Sequence, residues 1–364
     1  TIVFFHLYND FSGSPTVLHN VVKQRIIRGE NVEIVTSNTH GVLSDLCSRP
    51  NVKYHTYPYS FSKNKILTFV RYCFAQLYTF FFAFKYLFKS DVVFYINTIL
   101  PIAPALAGRL MGKKVIYHYH ENAFVKSTFY RFLCYCMQHL ATEIICVSHY
   151  QASFLKRKNG VRVVYNSISK EFLSKLNPNP EEAFRRKKVL MISSLKEYKG
   201  VVQFIQIATA LSEFGFILVI NDNSDNIQRF LQKHQLILPS NITVFPRQED
   251  VARFYNTASL VLNLSDKNLF IETFGLTALE AMSAALPVIV PTVGGIAEFV
   301  DDGVNGYKID VHNIDKIVDT ITYLFYDQEK YLLLAENALK ISEKINNINQ
   351  QEFVSIYNDY GFSQ

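Results

Sequence analysis

The stretch Ser265-Asp-Lys-Asn-Leu-Phe-Ile-Glu272-Thr-Phe-Gly275-Leu-Thr-Ala-Leu-Glu280-Ala-Met decides how this sequence is interpreted. The apolar run Leu260–Leu264 before it predicts a buried strand, and the apolar spacing after Gly275 predicts a helix. A glycine-containing loop between a strand and a helix leaves backbone N–H groups at the helix N-terminus, where anions such as phosphate bind. We expect the amides of Phe274, Gly275 and Leu276 to form such a site.

Two carboxylates flank this loop, Glu272 just before the predicted helix and Glu280 one turn inside it. A carboxylate that touched a phosphate would repel it. We therefore interpret both as acceptors for sugar hydroxyls, one on a transferred sugar and one on a ribose. The alternative is an ordinary helix start with surface glutamates.

Strands and helices alternate through the first half of the chain. The predicted strands are Ile2–His6, Val32–Thr36, Val92–Ile96, Val115–Tyr119 and Ile144–Val147. The predicted helices are Thr16–Arg28, Ile66–Phe88, Pro104–Met111 and Phe129–Leu140. Because the strands are continuously apolar and alternate with helices, they predict a parallel, doubly wound sheet that is buried on both faces.

The alternation stops in the segment 169–187, which is rich in Asn, Pro and charge, and then restarts. Five further strands are predicted at Val189–Ser193, Phe216–Ile220, Ile242–Phe245, Leu260–Leu264 and Pro287–Val290. The predicted helices are Val201–Phe214, Asn226–Gln235, Asp250–Thr257, Leu276–Ala285 and Ile296–Val300, with two or three more in 314–360. We predict an α/β fold of two Rossmann-like doubly wound domains, 1–168 and 188–345, which face each other across a cleft. They are joined by the linker 169–187, and a last helix, 346–364, packs back on the first domain.

The stretch 260–306 resembles the nucleotide-sugar site of glycosyltransferase family 4, a retaining family with the GT-B fold. The resemblance rests on the spacing Glu272-x7-Glu280, on Gly294-Gly295-Ile-Ala-Glu298 and on Asp302-Gly-Val-Asn-Gly306. It implies that Glu272 orients the donor sugar and that Glu280 binds the ribose. It also implies that the three loop amides hold the diphosphate.

A second similarity to this family lies in Ser193-Ser-Leu-Lys-Glu-Tyr-Lys199-Gly200. It implies that Lys199 is a cation for the diphosphate, which stabilises the leaving group as negative charge develops. The family has an arginine where this chain has Ser194, which we count among the donor-binding positions. The change halves the expected cationic charge unless Lys196 or another basic residue substitutes.

The first half matches the family at two places. Gly13 lies in the loop after the first strand, where the family has a glycine-rich loop that faces the diphosphate. His120, followed by Glu121, matches a family histidine near the reacting sugar, and His118 is the second candidate because it points to the same side of the strand.

In the second half of the chain, Arg247 lies near where the family holds the nucleotide base.

Several classes of site are not expected from the sequence. No D-x-D motif follows a strand, so we expect no metal requirement and no cofactor beyond the sugar donor itself. No G-x-G-x-x-G follows the first strand, which argues against a dehydrogenase. The net charge of +6 comes without a dense basic stripe, so we expect no nucleic-acid partner. The five cysteines form no C-x2-C pair and are interpreted as reduced thiols.

The predicted function is therefore transfer of a hexose or N-acetylhexosamine, with retention, from a UDP- or GDP-sugar to an acceptor hydroxyl. Ser194 and the glycine-poor loop motivate one alternative, a catalytically weak accessory or partner-binding protein. A nucleotide-sugar isomerase or epimerase is the other alternative.

The aromatic stretch 66–88 bears on the acceptor. It is interpreted first as a helix buried against a sheet. The alternatives are a helix that touches the membrane surface, with Arg71 and Lys85 near lipid head groups, and a true membrane span. We predict a lipid-linked oligosaccharide as the acceptor, as in bacterial surface-polysaccharide assembly, and the alternative is a soluble saccharide acceptor with the aromatic side chains simply buried. The opening Thr1-Ile-Val-Phe-Phe has no features of a signal peptide, so we expect a cytoplasmic protein, peripheral at the inner face of the membrane.

Overall fold

The structure is a computed structural model that describes residues 1–125 and 127–358, with side chains through residue 348. Backbone contacts divide the chain into two compact units, Thr1–Val164 and Tyr165–Gln364. Each unit contains one parallel sheet, which confirms the predicted fold class. The finer domain limits at residues 168 and 188 stay a prediction.

The sheet of the first unit has seven parallel strands in the order β3-β2-β1-β4-β5-β6-β7. These strands are β1 (Ile2–His6), β2 (Val32–Ser37), β3 (Val52–Tyr57), β4 (Val93–Asn97), β5 (Lys114–Tyr119), β6 (Glu143–Cys146) and β7 (Val161–Val163). The helices between them are α1 (Gly13–Ile27), α2 (Lys65–Ala83), α3 (Ile102–Leu110), α4 (Thr128–Leu140) and α5 (His149–Ser153). The central strands β1 and β4 are buried at every position, as continuous apolar runs predict.

The sheet of the second unit has six parallel strands in the order β10-β9-β8-β11-β12-β13. They are β8 (Lys188–Ser193), β9 (Gly215–Ile220), β10 (Ile242–Phe245), β11 (Leu260–Leu262), β12 (Val288–Val290) and β13 (Gly306–Lys308). The helices are α6 (Lys170–Leu173), α7 (Pro180–Arg186), α8 (Val201–Ala210), α9 (Ser224–Lys233), α10 (Ala252–Thr257), α11 (Leu276–Ser283), α12 (Ile314–Tyr326) and α13 (Gln328–Asn358). The predicted helix at 296–300 is a 3-10 turn, Gly295–Phe299.

The segment 169–187, predicted as a linker, contains α6 and α7. The Asn179 side chain accepts a hydrogen bond from the Glu182 amide and caps α7, and Pro180 occupies its first turn. The Asn-Pro pair, which we interpreted as part of a linker, therefore begins a helix. The predicted packing of 346–364 on the first domain falls largely on side chains outside the described residues.

Helix α2 corrects the preferred interpretation of the aromatic stretch. Only Ala75, Thr79 and Ala83 are fully buried in it, while large side chains such as Phe74 and Phe81 are 51% and 64% exposed. The helix packs on the unit through these small residues and through half-buried aromatic side chains, such as Tyr78 and Phe82, while other bulky side chains face outward. With the turn that follows it, the helix is long and apolar enough to cross a membrane by length and composition alone.

The two cations expected near lipid head groups are bound within the protein. Arg71 donates to the carbonyl and the hydroxyl of Ser60, at 3.1 and 2.7 Å. Lys85 forms a 2.8 Å ion pair with the buried Glu33 on β2. Burial alone would raise the pKa of Glu33, but hydrogen bonds from Lys85, Tyr86 and His55 lower it to about 2. Both cations therefore have partners within the first unit, and the Lys85 side chain is still 38% exposed.

Candidate functional site

Lys199 and Glu272, which lie 73 residues apart in the sequence, form an ion pair in the second unit. Lys199 ends a 3-10 turn after β8, and Glu272 lies in the loop between β11 and α11. The Ser265 hydroxyl also donates to Glu272 Oε1, at 2.6 Å. The Lys199 ammonium lies 4.7 Å from the centre of the Phe270 ring. A cation, a carboxylate and an aromatic face therefore meet at one point.

The electrostatics of this pair keep Glu272 ionised. Burial alone would raise the pKa of Glu272, but the charge and hydrogen bond of Lys199, with help from Ser265, hold it below its usual range. Glu272 is a carboxylate at neutral pH. It can accept hydrogen bonds from hydroxyls without first losing a proton.

The loop next to this pair has the backbone geometry of an anion site. Gly275 begins α11 with φ of 87°, a left-handed conformation, and an added Cβ would lie 2.3 Å from Ile296 Cγ1. Only glycine fits there without strain. Among the residues that the structure describes, the amides of Phe274, Gly275 and Leu276 have no acceptor. The Phe274 ring is buried against Tyr165 and Phe299, which anchors the loop from below.

Glu280 lies on α11 and meets a partner that the sequence did not reveal. The hydroxyl of Tyr255, on α10, donates to Glu280 Oε2 at 2.6 Å. Burial raises the pKa of Glu280 to about 7, and the hydrogen bond from Tyr255 partly opposes this rise. Glu280 therefore changes charge near neutral pH, whereas Glu272 does not.

The remaining predicted donor positions of the second unit lie outside this cluster of contacts. Ser194 follows β8, and its carbonyl accepts from the Ser193 hydroxyl at 3.1 Å. Arg247 is exposed after β10, and its Nε donates to Asn221 Oδ1 at 2.7 Å. Lys196, the proposed substitute for the missing arginine, is exposed. The structure thus brings together Lys199 and Glu272, while Ser194 and Arg247 form hydrogen bonds with other residues, Ser193 and Asn221.

His120 and Gly13 belong to the first unit, and one residue connects them. His120 Nε2 lies 2.9 Å from Oδ1 of Asn97, and the Asn97 amide nitrogen lies 3.2 Å from the Ser14 carbonyl in the Gly13 loop. An added Cβ at Gly13 would meet open space, so no contact within the protein requires glycine there. His118 is fully buried, and its Nδ1 lies 2.7 Å from the Tyr95 hydroxyl.

Sequence reasoning missed Asn97 and His6. Both end a strand, and the sheet places His6 beside Asn97 and Asn97 beside His118 in register. The signal was available, because a polar residue at the carboxyl end of a buried parallel strand faces the ligand edge of such a sheet. No group of three or more His, Cys, Asp or Glu residues with metal-site geometry occurs in the described part of the chain.

Comparisons with known proteins identify the family to which the chain belongs. Residues 175–341 match the family model described as glycosyl transferases group 1, and residues 11–172 match the model described as glycosyltransferase family 4. An uncharacterized glycosyltransferase of Methanocaldococcus jannaschii is 30% identical over 207 residues, which cover 56% of this chain and 55% of that protein. The N-acetyl-alpha-D-glucosaminyl L-malate synthase of Bacillus anthracis is 28% identical over 191 residues, 50% of this chain and 49% of that one. The chain thus spans about half the length of the curated relatives it matches.

Solved structures show the same fold over the whole length. Anabaena HepE, crystallised with UDP and glucose, superposes with a TM-score of 0.78 at 20% identity and covers 98% of this chain and 99% of that one. At this identity the likeness concerns the fold alone.

Proposed function

Because the chain belongs to the group 1, family 4 glycosyltransferases with the GT-B fold, we propose that it moves a sugar from a nucleoside-diphosphate sugar to an acceptor hydroxyl with retention. The observation that carries the proposal is the Lys199–Glu272 pair beside the three acceptor-free amides at the start of α11. This arrangement offers positive groups to a diphosphate and a carboxylate to the sugar next to it. Nothing in the proposal requires a metal ion or another cofactor.

The chemistry assigned to these groups follows from their charges. Breaking the bond between sugar and diphosphate leaves negative charge on the leaving oxygen, which Lys199 and the loop amides stabilise. The ionised Glu272 accepts hydrogen bonds from donor-sugar hydroxyls and holds the sugar in place. We assign no carboxylate nucleophile. In the proposed reaction the acceptor therefore attacks on the face that the diphosphate leaves, and the departing phosphate takes the acceptor proton.

Glu280 and Tyr255 are the proposed ribose site. A ribose hydroxyl donates to the Glu280 carboxylate, and Tyr255 keeps the other side of that carboxylate in place. UDP is the first nucleotide to test because HepE was crystallised with it. The transferred sugar is proposed to be a hexose or an N-acetylhexosamine.

A transfer assay with UDP- and GDP-sugars tests the function. Glu272→Ala should abolish transfer, whereas Glu249→Ala, which removes an exposed glutamate of the same unit, should leave it unchanged. Full activity in Glu272→Ala would refute the role of Glu272. Thermal stabilisation by UDP, GDP, ADP and CMP, with and without magnesium, separates binding from turnover, because a ligand at 100 times its Kd adds about 2.7 kcal/mol.

Ser194 favours a second candidate, a non-transferring accessory protein of the same fold. Its serine removes a cation that the family places at the diphosphate. If Ser194→Arg creates turnover in a chain that binds nucleotide but does not transfer sugar, this candidate is supported. Turnover by the unmodified chain would exclude it.

We propose that the acceptor is a lipid-linked saccharide, reached at the inner face of the cytoplasmic membrane. The support is the outer surface of α2, where Phe69, Phe74 and Phe81 are each more than half exposed. Exposed lysines lie at both ends of this apolar surface: Lys63, Lys65 and Lys89. Apolar side chains between basic residues suit a surface of anionic lipids.

Co-sedimentation with vesicles that contain anionic lipid tests this part separately. Phe74→Ser with Phe81→Ser should release the protein from the vesicles. Ile237→Ser, which removes a side chain that is 88% exposed in the second unit, is the matched control. No vesicle binding by the unmodified protein at low salt would refute the membrane proposal and leave the donor site untouched.

A further inference from the structure

Four polar residues, His6, Asn97, His118 and His120, form a row at the carboxyl ends of β1, β4 and β5. The hydrogen-bond donors and acceptors around Asn97 follow one pattern. Asn97 lies at its centre and contacts three groups: His6 Nδ1 at 3.0 Å, the Ser14 carbonyl at 3.2 Å and His120 Nε2 at 2.9 Å. Asn97 and His6 are buried, with 0% and 3% exposure. Buried polar atoms of this kind must match donor to acceptor.

The Ser14 carbonyl fixes the orientation of the Asn97 amide. A carbonyl oxygen can only accept, so the atom that faces it must be the NH₂ of Asn97. The Asn97 oxygen then faces His120 Nε2, which must carry a hydrogen in order to donate. His6 Nδ1 receives the second NH₂ hydrogen of Asn97. One backbone carbonyl thus determines the protonation pattern of two imidazoles.

We propose that Asn97 is a positioning residue that holds His120 as a neutral imidazole with its proton on Nε2. Nδ1 of His120 then carries a lone pair, and no described residue donates a hydrogen bond to it. His120 is therefore prepared to accept a hydrogen bond from a hydroxyl of a sugar donor or acceptor. This last step rests on the proposed function, whereas the protonation pattern does not.

The surroundings of His120 favour the neutral ring. Burial, followed by the nearby imidazoles of His118 and His6, holds the pKa of His120 well below its usual range. The ring centres of His118 and His120 lie 4.1 Å apart. Two acidic groups also face this row: Asp10, whose charge acts on His6, and Glu121, which accepts from the Ile99 amide at 3.3 Å. Neither acidic group is hydrogen-bonded to His120 in the described contacts.

Imidazole nitrogen NMR of the full chain tests the pattern without any substrate. With labelled histidine, and with His120→Gln to identify the signal, His120 should show one protonated nitrogen, Nε2, throughout pH 6–8. A proton on Nδ1, or a doubly protonated ring at pH 7, would overturn the proposal.

Asn97→Asp tests the positioning role. The new carboxylate favours a doubly protonated His120, so its titration should move upward by at least one pH unit. If the chain transfers sugar, the acidic limb of its pH–rate profile should move upward with that titration. Asn38→Asp adds the same charge at an exposed position of the same unit and should change neither. An unshifted His120 titration in Asn97→Asp would refute the role of Asn97. A shifted titration in a chain without transfer would refute only the proposed function.

Discussion

The raised pKa of Glu280 predicts an unusual dependence of stability on pH in the second unit. The ordinary glutamate value of 4.5 rises to about 7 here, with burial as the main cause. The folded protein therefore holds a proton that the unfolded chain has released between these two values. Stability should fall as the pH rises from 4.5 to 7 and then level off.

The magnitude follows from the size of the shift. At about 1.36 kcal/mol per unit of pKa shift, the rise in the pKa of Glu280 from 4.5 to about 7 makes the free energy of unfolding at most ~3 kcal/mol lower at pH 8 than at pH 4.5. Glu280 is only partly buried, so solvent screening reduces this upper value. For a unit of this size, 1 kcal/mol corresponds to about 2–4 °C in Tm.

Calorimetry of the unmodified chain and of Glu280→Gln at pH 5 to 8 measures this contribution. Glutamine keeps an acceptor for the Tyr255 hydroxyl but has no charge, so the variant should gain up to roughly 6–12 °C over the unmodified chain as the pH rises. Tyr255→Phe removes the hydrogen bond that lowers the pKa of Glu280, so it should move the transition to higher pH. Parallel pH profiles for the unmodified chain and Glu280→Gln would refute the assignment.

Three further predictions concern other sites. The lowered pKa of Glu33 predicts that the free energy of unfolding falls by about 3 kcal/mol as the pH falls from 4.5 to 2, and Glu33→Gln should abolish this loss. Acid unfolding measures it, and the control Glu213→Gln, at an exposed position, should behave like the unmodified chain. Gly275→Ala should lower Tm and weaken nucleotide binding, because Gly275 has a positive φ and an added Cβ would clash with Ile296. Gly13→Ala, where an added Cβ meets open space, should leave Tm unchanged. Equal changes in Tm for the two variants would contradict the geometry. Nucleotide binding at pH 6 should release protons from Glu280, because hydrogen bonds from ribose hydroxyls favour the ionised carboxylate. Calorimetric titration in two buffers of different ionisation enthalpy measures the release. Binding heats that do not depend on the buffer would count against the ribose site.

The parts of the fold that the sequence did not predict lie mostly at sheet edges. Of the four edge strands in the two described sheets, β3, β7 and β13 were missed, and only β10 was predicted. The edge strand β3, Val-Lys-Tyr-His-Thr-Tyr, buries only its two ends fully. An edge strand has one neighbour and keeps polar side chains, so it lacks the continuous apolar run that identifies a central strand.

Helix α2 was misjudged for a related reason. Composition shows how apolar a helix is but not which side chains it buries. The fully buried positions are the small or polar Ala75, Thr79 and Ala83. The phenylalanines divide between half-buried ones, such as Phe82, and exposed ones, such as Phe74 and Phe81. Aromatic residues occur on both sides of this helix, so their positions in the sequence did not identify the packed side.

Sequence analysis named those candidate-site residues that each lie within a local motif. Glu272 and Glu280 were found because one loop and one helix hold both. Tyr255 precedes Glu280 by 25 residues, and Asn97 precedes His120 by 23, so neither belonged to a local motif. Such partners are set by helix packing and strand order, which a single sequence does not contain.

The ion pair between Lys199 and Glu272 makes the two ends of a donor molecule thermodynamically dependent on each other. If a diphosphate draws Lys199 away, Glu272 loses its cation, and an unpaired buried carboxylate costs about 3–5 kcal/mol. In the proposed complex, hydroxyls of a sugar attached to that diphosphate return hydrogen bonds to Glu272, whereas a nucleotide without the sugar places no hydroxyl there. In the proposed reaction, the nucleotide product therefore binds less tightly than the sugar donor, which favours its release after each turnover.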